Sequence, residues 1–118
     1  MERGKIRIEN NTVHIELHQG TIWLTQHQIA DLFGVFVAAV NSNIRAILKS
    51  EVLDMDKVCR NLNHENGITV LYNLEMITAL AFRVKSENAE IFRHWIITKR
   101  SQPTMLLWHN PDMRILMN

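Results

Sequence analysis

Asn41, Arg45 and Lys49 recur at intervals of four residues, with Ser42 beside the first of them. On a helix that spacing lines up an amide, a guanidinium and an ammonium on one face. Such a row can recognise nucleic acid. An Asn amide can pair bidentately with adenine, an Arg can meet guanine or a phosphate, and a Lys can hold a phosphate. The four residues before it that would open the helix, Phe36 to Ala39, are apolar. Side chains such as Ala38 can touch thymine methyls but cannot read donors and acceptors. The competing reading makes Asn41 and Arg45 the wet face of an ordinary amphipathic helix.

Other reactive residue types form no comparable pattern. Of the six histidines, His14 and His18 would share the outer face of a strand. They lack Cys or carboxylate partners at ligand spacing, so no metal is expected. Cys59 is the single cysteine and stands in "KVCRNL" without a nearby motif. It reads as a structural thiol, excludes an internal disulfide framework and fits a reducing cytoplasm. No Ser-His-Asp arrangement, Gly-rich phosphate loop or carboxylate pair stands out, so no catalytic residue, cofactor or small-molecule substrate is expected.

The elements that must position the row can be read outward from it. "TQHQIADLFGVFVAAVNSNI", Thr25 to Ile44, has the spacing of two helices joined by a tight turn. Thr25 can cap the first helix, with Gln28 at capping-box spacing. Ile29, Leu32 and Phe33 share one face, Ala30 lets another helix cross closely, and Gly34 can take the positive φ that turns the chain. In the second helix Val37, Val40, Ile44, Ile47 and Leu48 face inward.

Upstream, "KIRIE" and "TVHIEL" alternate around Asn10-Asn11, which predicts a hairpin. "HQG" makes a second turn, and "TIWLT" is a third short strand of this small sheet. Downstream, an acidic connection leads to "VCRNLNHENGITVLYN", where Asn66-Gly67 predicts another hairpin. Placed after two such helices it would be a wing, with Arg60, Asn63 and His64 against phosphates; an idle surface hairpin reads equally well. Asn73 can cap the apolar helix "LEMITALAFRV". Ser86 can cap "ENAEIFRHWIITKR", whose acids and bases follow the helix dipole. Ala89, Phe92 and Ile96 form its inner stripe. The tail from Ser101 is bounded by prolines and too apolar to be a solvating tail.

The chain of 118 residues suits one domain, and its apolar and charged fractions, 47% and 21%, are those of a globular protein. Its apolar runs are too short to cross a bilayer, and "MERGKIRIEN" lacks the apolar core of a secretory signal. Net charge is +1, weak support for a nucleic-acid partner. Charge is uneven, however. Between Arg83 and Arg100 five basic residues face two acidic ones, Glu87 and Glu90, while Glu51, Asp54 and Asp56 gather elsewhere.

With these pieces in place the chain resembles the RhuM-like virulence-associated family. The matching elements are "WLTQ", "IADLFGV", "NSNI", "YNLEMI", "AFRV" and "FRHWI", in order from Trp23 to Ile97. The pattern is also similar to the N-terminal domains of phage antirepressors of the Bro-N type. The resemblance implies a bacterial, phage-related protein with a DNA-binding N-terminal module. "VFVAA" departs from the polar helix start of many relatives.

The expectation is an α+β winged helix-turn-helix-like domain over residues 1–100. It has an N-terminal β-hairpin or small antiparallel sheet and two C-terminal helices, and is followed by an apolar tail over 101–118 that packs on the core or a partner subunit. Its expected function is sequence-specific binding of double-stranded DNA by a homodimeric cytoplasmic regulator, of transcription or antirepressor-like. Asn41, Ser42 and Arg45 would approach bases, Ala38 a methyl group, and Lys49, Thr25 and Gln26 phosphates. The rival is a protein-interaction or dimerisation module in which the helix-turn-helix is scaffold. Phe36 and Val37 discriminate: burial under the protein's own sheet favours DNA, exposure favours a protein partner.

Overall fold

The computed structural model describes residues 2–100, with the Arg100 side chain excepted. The fold is mixed α+β, with antiparallel sheets of two and three strands and five helices among the described residues. The first strands, β1 (Lys5–Glu9) and β2 (Thr12–Glu16), pair antiparallel across Asn10 and Asn11. Both turn residues hold positive φ, 54° and 57°, as a two-residue hairpin that follows the strand twist requires. Ile6 faces Ile15 and Ile8 faces Val13, so one side of the hairpin is apolar and packs on the core. The other side carries Lys5, Arg7, His14 and Glu16, all exposed.

The next strand corrects an expectation. β3 (Trp23–Leu24) does not extend this N-terminal sheet; it pairs with a strand some fifty residues later. A turn at Gln19 and Gly20, closed by mutual backbone bonds between His18 and Thr21, redirects the chain after β2. The N–H of Trp23 then donates to the carbonyl of Arg3, 2.9 Å away. Gly4 permits that approach, because a Cβ there would stand 2.5 Å from the Ile22 side chain and 2.8 Å from the Glu16 carbonyl oxygen.

Helix α1 (Gln26–Phe33) buries Ile29, Ala30, Leu32 and Phe33, the face its spacing predicts. It ends at Gly34, whose φ of 66° and ψ of 41° are left-handed. Three residues later α2 (Val37–Lys49) begins, its axis bent 112° from that of α1. Val40, Ile44 and Ile47 are buried on its inner side, with Val37 and Leu48 partly so. In the acidic connection, where no element was expected, Asp54 caps a short helix α3 (Met55–Val58) by accepting from the Asp56 N–H.

A second hairpin follows, β4 (Cys59–His64) and β5 (Gly67–Asn73). Its loop is Glu65–Asn66, one residue before the Asn66-Gly67 pair that composition favours. His64 accounts for the offset. Its Nδ1 accepts from the Asn66 N–H and its Nε2 lies 2.8 Å from the Thr69 hydroxyl, which pins the loop there. The three-stranded sheet runs β3-β5-β4.

Asn73 closes this sheet and starts the next helix, α4 (Leu74–Ala81). Its Oδ1 accepts from the Met76 N–H and its Nδ2 donates to the Lys57 carbonyl, so a buried amide is fully engaged. α4 stops at Ala81, short of the apolar run that extends to Val84. The Arg93 Nη1 donates to the carbonyls of Ala81 and Val84 and satisfies the broken end. Ser86 caps α5 (Glu87–Arg100) through the Ala89 N–H. Phe92 of α5 meets Phe33 edge to face at 5.7 Å, joining the C-terminal helix to α1.

No single helix among the described residues is long and apolar enough to cross a membrane. The expected packing of the tail over 101–118 lies outside the described residues.

Candidate nucleic-acid interface

The outward side of α2 carries Ala38, Asn41, Ser42, Arg45 and Lys49, and all five are exposed. At 100° per residue they fall within one stripe, about 16 Å long from Ala38 to Lys49. The inward residues are held by α1 and α4, the main packing neighbours of α2. Among the described residues neither Arg45 nor Lys49 has an ion-pair partner. Their charges are therefore available to an anion.

The two other groups of expected contacts are placed differently. Thr25 is committed within its own cap. Its hydroxyl accepts from the Gln28 N–H at 3.1 Å, and its N–H donates to Gln28 Oε1 at 2.9 Å. Gln26 Nε2 donates to the Tyr72 hydroxyl at 3.3 Å, tying the start of α1 to β5. On the β4–β5 hairpin, the Arg60 guanidinium lies 4.3 Å from the Trp23 ring centroid, a cation–π contact across the sheet. His64 holds its own loop, and Asn63 is exposed opposite Ile68. The α2 stripe is thus one surface, while Thr25, Gln26, Arg60 and His64 already have partners within the fold.

Phe36 is the N-cap residue of α2 and makes no side-chain capping bond. It is 86% exposed, so the protein's own sheet does not cover it. A groove of about 540 Å³ runs beside it, lined in part by Val35, Ala39 and Asn43 of the corner and by Arg83 and Lys85 of the α4–α5 loop. Arg83 Nε donates to Asn43 Oδ1 at 3.0 Å, and Asn43 Nδ2 donates to the Ala39 carbonyl at 2.9 Å. The sequence signal for these two cations was the basic excess between Arg83 and Arg100. That excess does not say which members reach α2. Arg93 turns inward to the end of α4, and Lys99 lies 6.0 Å from the Trp95 ring centroid.

A separate cleft of about 740 Å³ between α5 and residues Asn11 to Val13 at the start of β2 collects Glu87, Glu90 and His94. All three are exposed, and no hydrogen bond joins them. No group of three His, Cys, Asp or Glu placed to hold a metal occurs among the described residues. Burial pushes the Cys59 thiol above its ordinary pKa, which disfavours the reactive thiolate.

No family model matches this chain, and no curated protein or solved structure matches it either.

Proposed function

We propose that this chain is a winged helix-turn-helix protein of the RhuM-like kind that binds double-stranded DNA as a homodimeric regulator and is not a catalyst. The observation that carries the reading is the free, exposed stripe of α2 on a helical corner bent by 112°. A bend of that size across a short glycine-containing turn suits a helix that lies in the major groove while its partner helix crosses the backbone. The sheet order β3-β5-β4 supports it, since the strand before the corner and the hairpin after it share one sheet. In this reading Asn41, Ser42 and Arg45 reach base edges, Ala38 meets a thymine methyl and Lys49 holds a phosphate.

The test is duplex binding across a salt series with a random-sequence pool, followed by Arg45→Ala. Affinity that falls linearly with log salt, enrichment of a motif, and a loss of roughly tenfold or more in the variant are expected. Absence of duplex affinity at low salt overturns the reading.

One observation favours a second reading. Exposure of Phe36 is what a protein-interaction module would display. Under that reading Phe36→Ser abolishes self-association or partner capture and Arg45→Ala does not.

A further inference from the structure

We infer that the α4–α5 loop is a second DNA-contacting element, in which Arg83 and Lys85 hold backbone phosphates beside the start of α2 and Asn43 positions Arg83. This rests on the DNA reading of α2 and extends it to residues forty positions away in the chain.

Three observations carry it. First, Arg83 is exposed but not loose. Its Nε–H is committed to Asn43 Oδ1, which leaves the two terminal amino groups of a planar fork to meet an anion. A guanidinium held this way loses less freedom on binding phosphate than a free one. Second, the loop contributes to the same groove as Phe36, Ala39 and Asn43, so its cations stand beside the apolar start of α2, on the helix flank that adjoins the stripe. Arg45 and Lys49 stand further along that helix, and the loop adds positive charge where "VFVAA" supplies none. Third, the nearest acids in sequence, Glu87 and Glu90, line the separate cleft against the start of β2. They do not line the groove beside Arg83 and Lys85.

Asn43 has a different role from its neighbours on α2. Both of its polar atoms are engaged, one by Ala39 and one by Arg83. It holds the loop against the helix, so it acts as a positioning residue.

The experiment compares the salt dependence of duplex binding for the whole chain, Arg83→Ala/Lys85→Ala, and Lys5→Ala/Arg7→Ala. The last pair removes equal charge from the outer face of the β1–β2 hairpin. Loss of two phosphate contacts makes the slope of log affinity against log salt shallower by about 1.8. Between 50 and 200 mM salt the wild type should therefore lose about tenfold more affinity than the loop variant. The hairpin variant should keep the wild-type slope. Asn43→Ala should weaken binding several-fold while retaining most of the slope, because the charge stays and only its placement is lost.

An unchanged slope in the loop variant overturns this inference and leaves α2 as the interface. Equal effects from both double variants overturn it too, since net charge would then be the cause. Unchanged affinity in Asn43→Ala removes the positioning role. A wild type that binds no duplex overturns the proposed function itself. Should Arg83→Ala fail to fold, Lys85→Ala alone should lower the slope by about 0.9.

Discussion

The two helices of the corner begin in opposite ways. α1 starts with a complete capping box, in which Thr25 and Gln28 satisfy each other's backbone N–H groups. α2 starts at Phe36, an apolar side chain that satisfies nothing and stands in solvent. One start has a full side-chain cap, and the other has none. A helix start without a side-chain cap leaves about 1 kcal/mol of available stabilisation unused. The start of α1 is capped by side chains, and the start of α2 is uncapped and exposed.

Several substitutions would break or sharpen that contrast. The largest effect belongs to the scaffold. Phe33→Ala removes a fully buried ring that meets Phe92 and should cost about 3–5 kcal/mol in denaturant unfolding. A loss below about 1 kcal/mol would mean that α1 is not the anchor of the corner. Gly34→Ala comes next. Open space surrounds its Cα, so no clash arises, but the left-handed backbone should cost about 1–2 kcal/mol. Thr25→Ala opens the capping box and should cost about 1 kcal/mol, leaving α1 as uncapped as α2.

The smallest effect has the opposite sign. Phe36→Ser supplies a side-chain acceptor where none exists and should stabilise the fold by about 0.5 kcal/mol or more, read as a rise in melting temperature. It should also weaken whatever α2 contacts. A variant that gains stability and loses binding would establish the trade-off directly. A destabilised Phe36→Ser would show that the ring contributes to the fold, and the comparison would collapse.

The parts of the molecule legible in the sequence are those decided within a few residues. Thr25 with Gln28, Gly34, Asn10-Asn11, Asn73 and Ser86 each act on backbone groups within four positions, and each does what its type and spacing predict. The apolar period placed Val40, Ile44 and Ile47 inward and the α2 stripe outward for the same reason. What was not legible depends on residues distant in the chain. β3 found its partner in β5, because pairing across fifty residues leaves no local mark. The hairpin loop moved by one residue through the imidazole of His64, a side-chain bond that turn propensities do not contain. The early end of α4, where Arg93 of the following helix meets the carbonyls of Ala81 and Val84, is set by a partner distant in the chain from the helix's own sequence. At the candidate interface the stripe of α2 was legible as a face, while the bond from Arg83 to Asn43 was not.

The pairing of Trp23 with Asn73 has a consequence for how such a chain can be altered. The corner and the β4–β5 hairpin both lie between these two residues, and the backbone leaves the pair and returns to it side by side. Neighbouring strands are about 5 Å apart, so the whole excursion closes on itself. An exchange would need only two cuts at adjoining points, but the inserted α1 must still meet Phe92 of α5 through Phe33. Swapping residues 24–72 between chains of this architecture would carry the α2 stripe and the β4–β5 hairpin together, while Arg83, Lys85 and the Phe92 that meets Phe33 would stay behind with the host.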